Sequence, residues 1–308
     1  MSETDEFWDF YWETSGRKLA DLGKWEAIRA ASRLVRRLAE DPLQPVRILE
    51  LGCGEGQVIG ALVRAHAGVR AIEASCGVDY APAAIEKGRR AFPELVFIEG
   101  DFTNPHLLGG LGQFEIVLLV NALHEVFSAA YSDALGEVDV PQARRRVREA
   151  LAMAVERLAP GGYLLLFDGL ESAGDTSQIL RIRWPDRQAR RRFETFAAEY
   201  RPFRIAYHET GDPLRVELSY HDFTRYVTKS IFLDKPLWQT ERLESYQYYT
   251  QAEFTEAFER LELEVCELRT LTVDYDKWRG EVEIETDGVD YPVEHVLLVG
   301  RKEAASRV

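Results

Sequence analysis

An α/β fold built on a mostly parallel sheet is predicted for this 308-residue chain by three observations. Short apolar runs alternate with segments of helical period through its first half, as a parallel sheet with crossover helices demands. The run "PVRILEL" passes into "GCGEG", which sets Gly52, Gly54 and Gly56 at every second position. Acidic residues then close the next two apolar runs, Asp79 in "CGVD" and Asp101 in "ELVFIEGD".

The elements follow in order. "EFWDFYWETSGRKLADLGKWEAIRAASRLVRRLAED" reads as aromatic-rich helices ahead of the first strand. Glycine has no Cβ, so the turn after that strand can take positive φ and let a ligand lie against the backbone. "QVIGALVRAHAG" then has helical spacing, and "APAAIEKGRRAF" opens a second helix with Pro82 in its first turn. Asp79 falls about twenty residues past the last glycine, where an acid at a strand end can accept both ribose hydroxyls of an adenosine. A fourth strand ends at Asn121, and "PGG" at 160–162 leads into a fifth ending at Asp168. Thr250 and Glu253 are spaced as a capping box for the helix before strand six, and Asp287 and Gly288 suit a hairpin turn before the last strand.

A dinucleotide enzyme would also have a glycine-rich turn followed by an acid, but its turn is G-x-G-x-x-G. Here the glycines alternate, and Glu50 at the strand end would be unhelpful beside a pyrophosphate. The acid before G-x-G-x-G, the second- and third-strand acids and the "PGG" turn together resemble the class I S-adenosylmethionine-dependent methyltransferases. The resemblance covers roughly residues 45–168 and continues more weakly into the final strands. It implies a Rossmann-like, seven-stranded, mostly parallel sheet with an antiparallel final strand and helices on both faces. It also implies S-adenosylmethionine as methyl donor: Gly52, Gly54 and Gly56 passing under its methionine part and ribose, Glu50 holding its amino group, and Asp79 binding the ribose diol. Asp101 would take the adenine amino group and Phe102 pack on the adenine edge, with Tyr80 and Asn121 completing the cofactor contacts. The N-terminal helices, residues 1–45, would form a lid, with Tyr11 or Trp12 near the methionine end.

The fourth strand runs into "VNALHEVF", which is not the [DN]-P-P-[YFW] of family members that methylate nucleobases or glutamine. His124, one helical turn past Asn121, is the candidate general base for a hydroxyl or amine acceptor, since imidazole titrates near neutrality. Glu125 reads as solvent-facing or ligand-supporting. Residues 46–168 and 263–308 are assigned to the cofactor-binding core and 169–262 to an inserted helical cap that selects the acceptor. Within that cap Tyr220, His221, Tyr226 and Trp238 are candidates to line the acceptor pocket, and an arginine run from Arg181 to Arg192 reads either as a solvated helix or as an anion site.

Composition narrows the partners. Lysine and arginine total 38 against 52 acids, a formal charge of −14, which repels nucleic-acid backbones and anionic membranes. Cys53, Cys76 and Cys266 form no C-x-x-C pair, which suits a reducing compartment and gives no expected metal site. With no secretory leader pattern and no membrane-length apolar run, a cytoplasmic enzyme is expected. The reading is methyl transfer to an oxygen or nitrogen of a small molecule. Aminocarboxypropyl transfer or cyclisation, or methylation of protein or RNA, stay open as alternatives. The long segment before the last strand could cover a neighbouring subunit in a homodimer.

Overall fold

The computed structural model describes residues 23–273 and 275–304. Its central sheet comprises β1 (Ile48–Leu51), β2 (Cys76–Asp79), β3 (Val96–Glu99), β4 (Phe114–Val120), β5 (Leu158–Gly169), β9 (Leu263–Leu271) and β11 (His295–Lys302). The order is β9-β11-β5-β4-β1-β2-β3. Only β11 runs antiparallel to its neighbours, so the expected seven-stranded fold with an antiparallel final strand is observed.

Strand periodicity divides the core into two layers. Ile116, Leu118 and Val120 of β4 join Ile48, Leu165 and Phe167 on one face, while Val117 and Leu119 join Leu49, Leu164 and Leu166 on the other. Each such side chain, fully buried, is worth about 1.5–3 kcal/mol. A one-residue slip would send every one of them to the wrong face. The first face is covered by α1 (Lys24–Leu38) and α2 (Gln57–Ala65), the second by α6 (Val140–Glu156) and α10 (Gln251–Arg260). Residues 24–38 are therefore a layer of the sandwich, packed through Ile28, Ala31 and Val35, rather than part of a lid. Tyr11 and Trp12 lie outside the described residues.

The "PGG" turn does not precede β5 but interrupts it. Phe114 pairs with Leu158 and Ile116 with Tyr163, so residues 159–162 loop out, with Gly161 at φ 79°. The Thr250–Glu253 capping box forms with both reciprocal hydrogen bonds, at 3.2 and 2.8 Å.

The inserted segment is not all helical. It carries β6 (Ile179–Arg183), β7 (Tyr207–Glu209) and β8 (Arg215–Ser219), which with β10 (Glu283–Ile284) make a four-stranded antiparallel sheet ordered β10-β6-β8-β7. Leu180, Ile182, Val216 and Leu218 give it one apolar face, packed on α7 (Arg187–Glu199) and α8 (Tyr220–Ser230). Because β10 and α11 (Tyr275–Glu281) come after β9, one strand of the cap sheet and one neighbouring helix lie beyond residue 262. Gly288 does turn, at φ 75°, but no hairpin of core strands results: what precedes it pairs with β6. Among the described residues no helix is long and apolar enough to cross a membrane.

Candidate active site

The segments that follow β2, β3 and β4 line one cavity of about 650 Å³, through Tyr80, Asp101, Phe102, Thr103, Ala122 and Glu125, with Arg146, Glu149 and Met153 of α6. The glycine loop after β1 packs against two of its lining residues, Ala122 and Phe102. Gly52, Gly54 and Gly56 all have positive φ, at 75°, 54° and 75°. A Cβ on Gly52 would meet that of Ala122 at 2.6 Å, and one on Gly56 the ring of Phe97 at 2.4 Å, so these two let the loop pack closely. A Cβ on Gly54 would meet nothing within 4 Å, which leaves an open face of backbone for a ligand.

The acids hold this loop in place. Asp79 accepts the Gly54 N–H at 2.7 Å and the Ala81 N–H at 2.9 Å, fixing the turn against the end of β2. Glu50, buried in β1, accepts the Ile59 N–H at the start of α2 at 3.0 Å. Burial pushes the Glu50 carboxyl up to about 8 against the opposing pull of Lys24 and that N–H, so an arriving ammonium would favour its ionised form. Asp101 is exposed and takes the backbone N–H and hydroxyl of Thr103 at 2.8 and 2.7 Å. Tyr80, 64% exposed, forms an open wall opposite the buried Phe102. At the end of β4, Asn121 adopts φ 53°, and its side-chain oxygen is buried without a partner. Asparagine takes the left-handed region at little cost, whereas a buried acceptor without a partner calls for a donor.

α5 (Leu123–Ser128) follows directly and carries His124 inward. Its Nδ1 lies 2.7 Å from Asp168 Oδ1, and its Nε2 3.5 Å from Glu244 Oε2. Burial lowers the imidazole pKa, but the charge and hydrogen bonds of Asp168 and Glu244 outweigh it and push it up to about 10. Burial likewise raises Asp168, yet His124 and the N–H groups of Gly169 and Leu123 hold its carboxyl below the ordinary range. Both ring nitrogens of His124, the expected general base, thus face carboxylates, and His124 is not among the residues that line the 650 Å³ cavity. Asp168 and Glu244 were not assigned a role from sequence.

The cap candidates separate. Tyr226 is buried among Phe193 and Phe196, at ring distances of 5.0 and 5.4 Å, and meets Trp184 Nε1 at 3.4 Å. Trp238 is also buried and donates to Glu199 at 2.6 Å. Both are cap core, not pocket wall. Tyr220 donates to the Asp290 carbonyl at 3.3 Å, and His221 lies 2.7 Å from Glu171. Neither lines the 650 Å³ cavity. Three of the six arginines in the run are ion-paired: Arg181 with Glu217 at 2.6 Å, Arg190 with Glu209 at 2.7 Å and Arg192 with Asp234 at 3.1 Å. A larger concavity, about 1050 Å³, lies on the outer face of the cap sheet, away from the strand ends. Its Arg215 is likewise taken by Asp212 and Glu285, both at 2.9 Å.

The family model described as "Methyltransferase domain" matches residues 24–268. The chain belongs to that family. It is a methyltransferase, with S-adenosylmethionine as methyl donor, and the open backbone at Gly54, the Asp79 carboxylate and the orphaned Asn121 oxygen fit such a nucleoside. Solved methyltransferase structures are similar at low identity. An O-methyltransferase family protein from Burkholderia thailandensis is 14% identical with a TM-score of 0.44, over 91% of this chain and 58% of that one, so the chain spans little more than half its length. A putative methyltransferase from Bacillus halodurans is 13% identical with a TM-score of 0.45, over 88% and 99% of the two chains. The plantazolicin methyltransferase, solved with S-adenosylhomocysteine and a substrate analogue, is 12% identical with a TM-score of 0.46, over 97% and 90%. No curated protein matches the chain.

Proposed function

We propose that this methyltransferase acts on an oxygen or nitrogen of a small-molecule acceptor held beneath its own cap. The observation that carries the reading is the roof over the carboxyl ends of β4 and β5. A segment running from α9 (Trp238–Glu241) to α10 crosses there: Ser245 N–H donates to Ser128 at 2.9 Å, Glu171 N–H to the Tyr249 carbonyl at 2.9 Å, and Gly169 has room for no Cβ beneath the Tyr246 backbone. A roofed site excludes water and orients a small guest, but it gives an extended macromolecule no groove. The acidic net charge supports the same reading against RNA.

On this reading Glu50, Asp79, Tyr80, Asp101, Phe102 and Asn121, with the open face of Gly54, bind the donor, and residues 169–262 with α11 and β10 select the acceptor. Tyr220 and His221 are the two cap candidates that keep a partly open position from which to meet it. The donor supplies a sulfonium methyl open to displacement. The chain's part is alignment, exclusion of water and removal of a proton where the acceptor carries one. Incubation with methyl-labelled donor and fractionated metabolite pools tests this: label should enter the small-molecule fraction with equal formation of S-adenosylhomocysteine. Methylthioadenosine as the nucleoside product, or label in protein or RNA, would overturn it.

A further inference from the structure

Glu125 stands in the first turn of α5, immediately after β4, and lines the cavity with Tyr80, Phe102 and Ala122. It is partly buried, and its carboxylate has no hydrogen-bond or ion-pair partner among the described residues. The other cofactor-side acids are already engaged. Asp79, Asp101 and Glu50 each accept backbone N–H groups, and His124, the adjacent cation, is held between Asp168 and Glu244. Burial chiefly raises the Glu125 carboxyl, to about 7; His124 opposes this, and Glu244, Asp79 and Asp168 add to it. Arg146 lines the same cavity but donates to the Ala129 carbonyl at 3.0 Å and makes no ion pair with Glu125; the Glu125 carboxylate is thus without a bonded counter-charge, and its partial burial strengthens its attraction to a cation entering beside it.

We propose that Glu125 is the residue by which the site distinguishes the charged donor from the uncharged product. Its carboxylate attracts the sulfonium of S-adenosylmethionine and has no such hold on the thioether of S-adenosylhomocysteine. When the acceptor takes the methyl group, the C–S bonding pair stays on sulfur and the positive charge leaves the donor. The attraction is thus present before transfer and gone after it, which favours exchange of spent product for fresh donor. The inference rests on S-adenosylmethionine being the donor and is independent of the acceptor.

The test is calorimetric titration of wild type, Glu125→Gln and Glu73→Gln with each nucleoside at about pH 8, where the carboxylate is mostly ionised. Glu73 lies ahead of β2, at the opposite edge of the sheet, and controls for loss of one negative charge. Glu125→Gln should weaken S-adenosylmethionine by roughly five- to tenfold, as for one charge pair across a partly wet cavity. Its affinity for S-adenosylhomocysteine should stay within about twofold, which also reports that the variant is folded. Glu73→Gln should change neither. An unaltered affinity ratio in Glu125→Gln, or an equal loss for both nucleosides, overturns the proposal alone. Wild-type protein binding neither nucleoside would remove the donor assignment and this inference with it.

Discussion

At His124, burial alone would strip the proton from the imidazole, yet Asp168 at 2.7 Å and Glu244 at 3.5 Å hold its pKa up at about 10. A group whose folded pKa exceeds its unfolded value of 6.5 stabilises fully below 6.5, and loses that contribution as pH rises through the folded value. Asp168 and Glu244 are both lowered, so their contributions are present above the ordinary carboxylate range and fade in acid. The triad should therefore stabilise most between about pH 5 and 6.5. His124→Asn is expected to cost most stability in that window and progressively less toward pH 10, measured by urea unfolding across the range. A difference independent of pH would mean that the ring is neutral. Sequence pointed to His124 by residue type and position, but its protonation depends on Asp168, 44 residues away, and on a cap carboxylate. By contrast the position of Asp79 beside the glycine loop was legible, because adjacent backbone defines it: Asp79 reaches the loop that its own strand abuts.

Elements whose rules are local were likewise readable, and the clearest exception is the cap. The Thr250 box and the helix opened by Pro82 follow from short-range chemistry. The cap sheet is masked because "QILRIRW" runs directly into an arginine-rich helix, although Ile179–Arg183 and Arg215–Ser219 both alternate strictly between buried and outward residues. Period two was the available signal. What ties α8 to the segment that follows α9 is an ionic latch within the cap: Lys229 of α8, 0% exposed, bonds Glu241 at 2.7 Å, lies 3.9 Å from Glu244 and sits 3.5 Å over the Tyr246 ring. Breaking a buried pair strands the remaining charge at about 3–5 kcal/mol, whereas removing both partners costs far less. Lys229→Met should lower the melting temperature and speed amide exchange over residues 241–250, and adding Glu241→Gln should recover a large part of both. A single variant as stable as wild type, with unchanged exchange, would show the latch to be energetically idle.

For the whole molecule, topology was legible because alternating strands and helices leave few ways to build a parallel sheet, and the chain connects its strands by the expected route. The same topology collects the ends of β1 to β4 at one edge, so ligand selectivity becomes a property of the assembled fold. Around that edge the structure places Glu50, Asp79, Asp101 and Glu125. A pyrophosphate brought there meets carboxylates and would have to displace Asp79 from the Gly54 N–H it occupies at 2.7 Å, while a nucleoside with cationic ammonium and sulfonium groups meets complementary charge. A ligand at a hundred times its Kd stabilises the native state by about 2.7 kcal/mol. For a chain of this size each kcal/mol moves the melting temperature by about 2–4 °C, so saturating S-adenosylmethionine or S-adenosylhomocysteine should raise it by roughly 5 °C or more. NAD at the same concentration should leave it within about 1 °C, since it gains nothing from this edge and loses to its acids. An equal rise with NAD would mean that the glycine loop accepts a pyrophosphate despite Asp79, and the electrostatic account of the site would have to be abandoned.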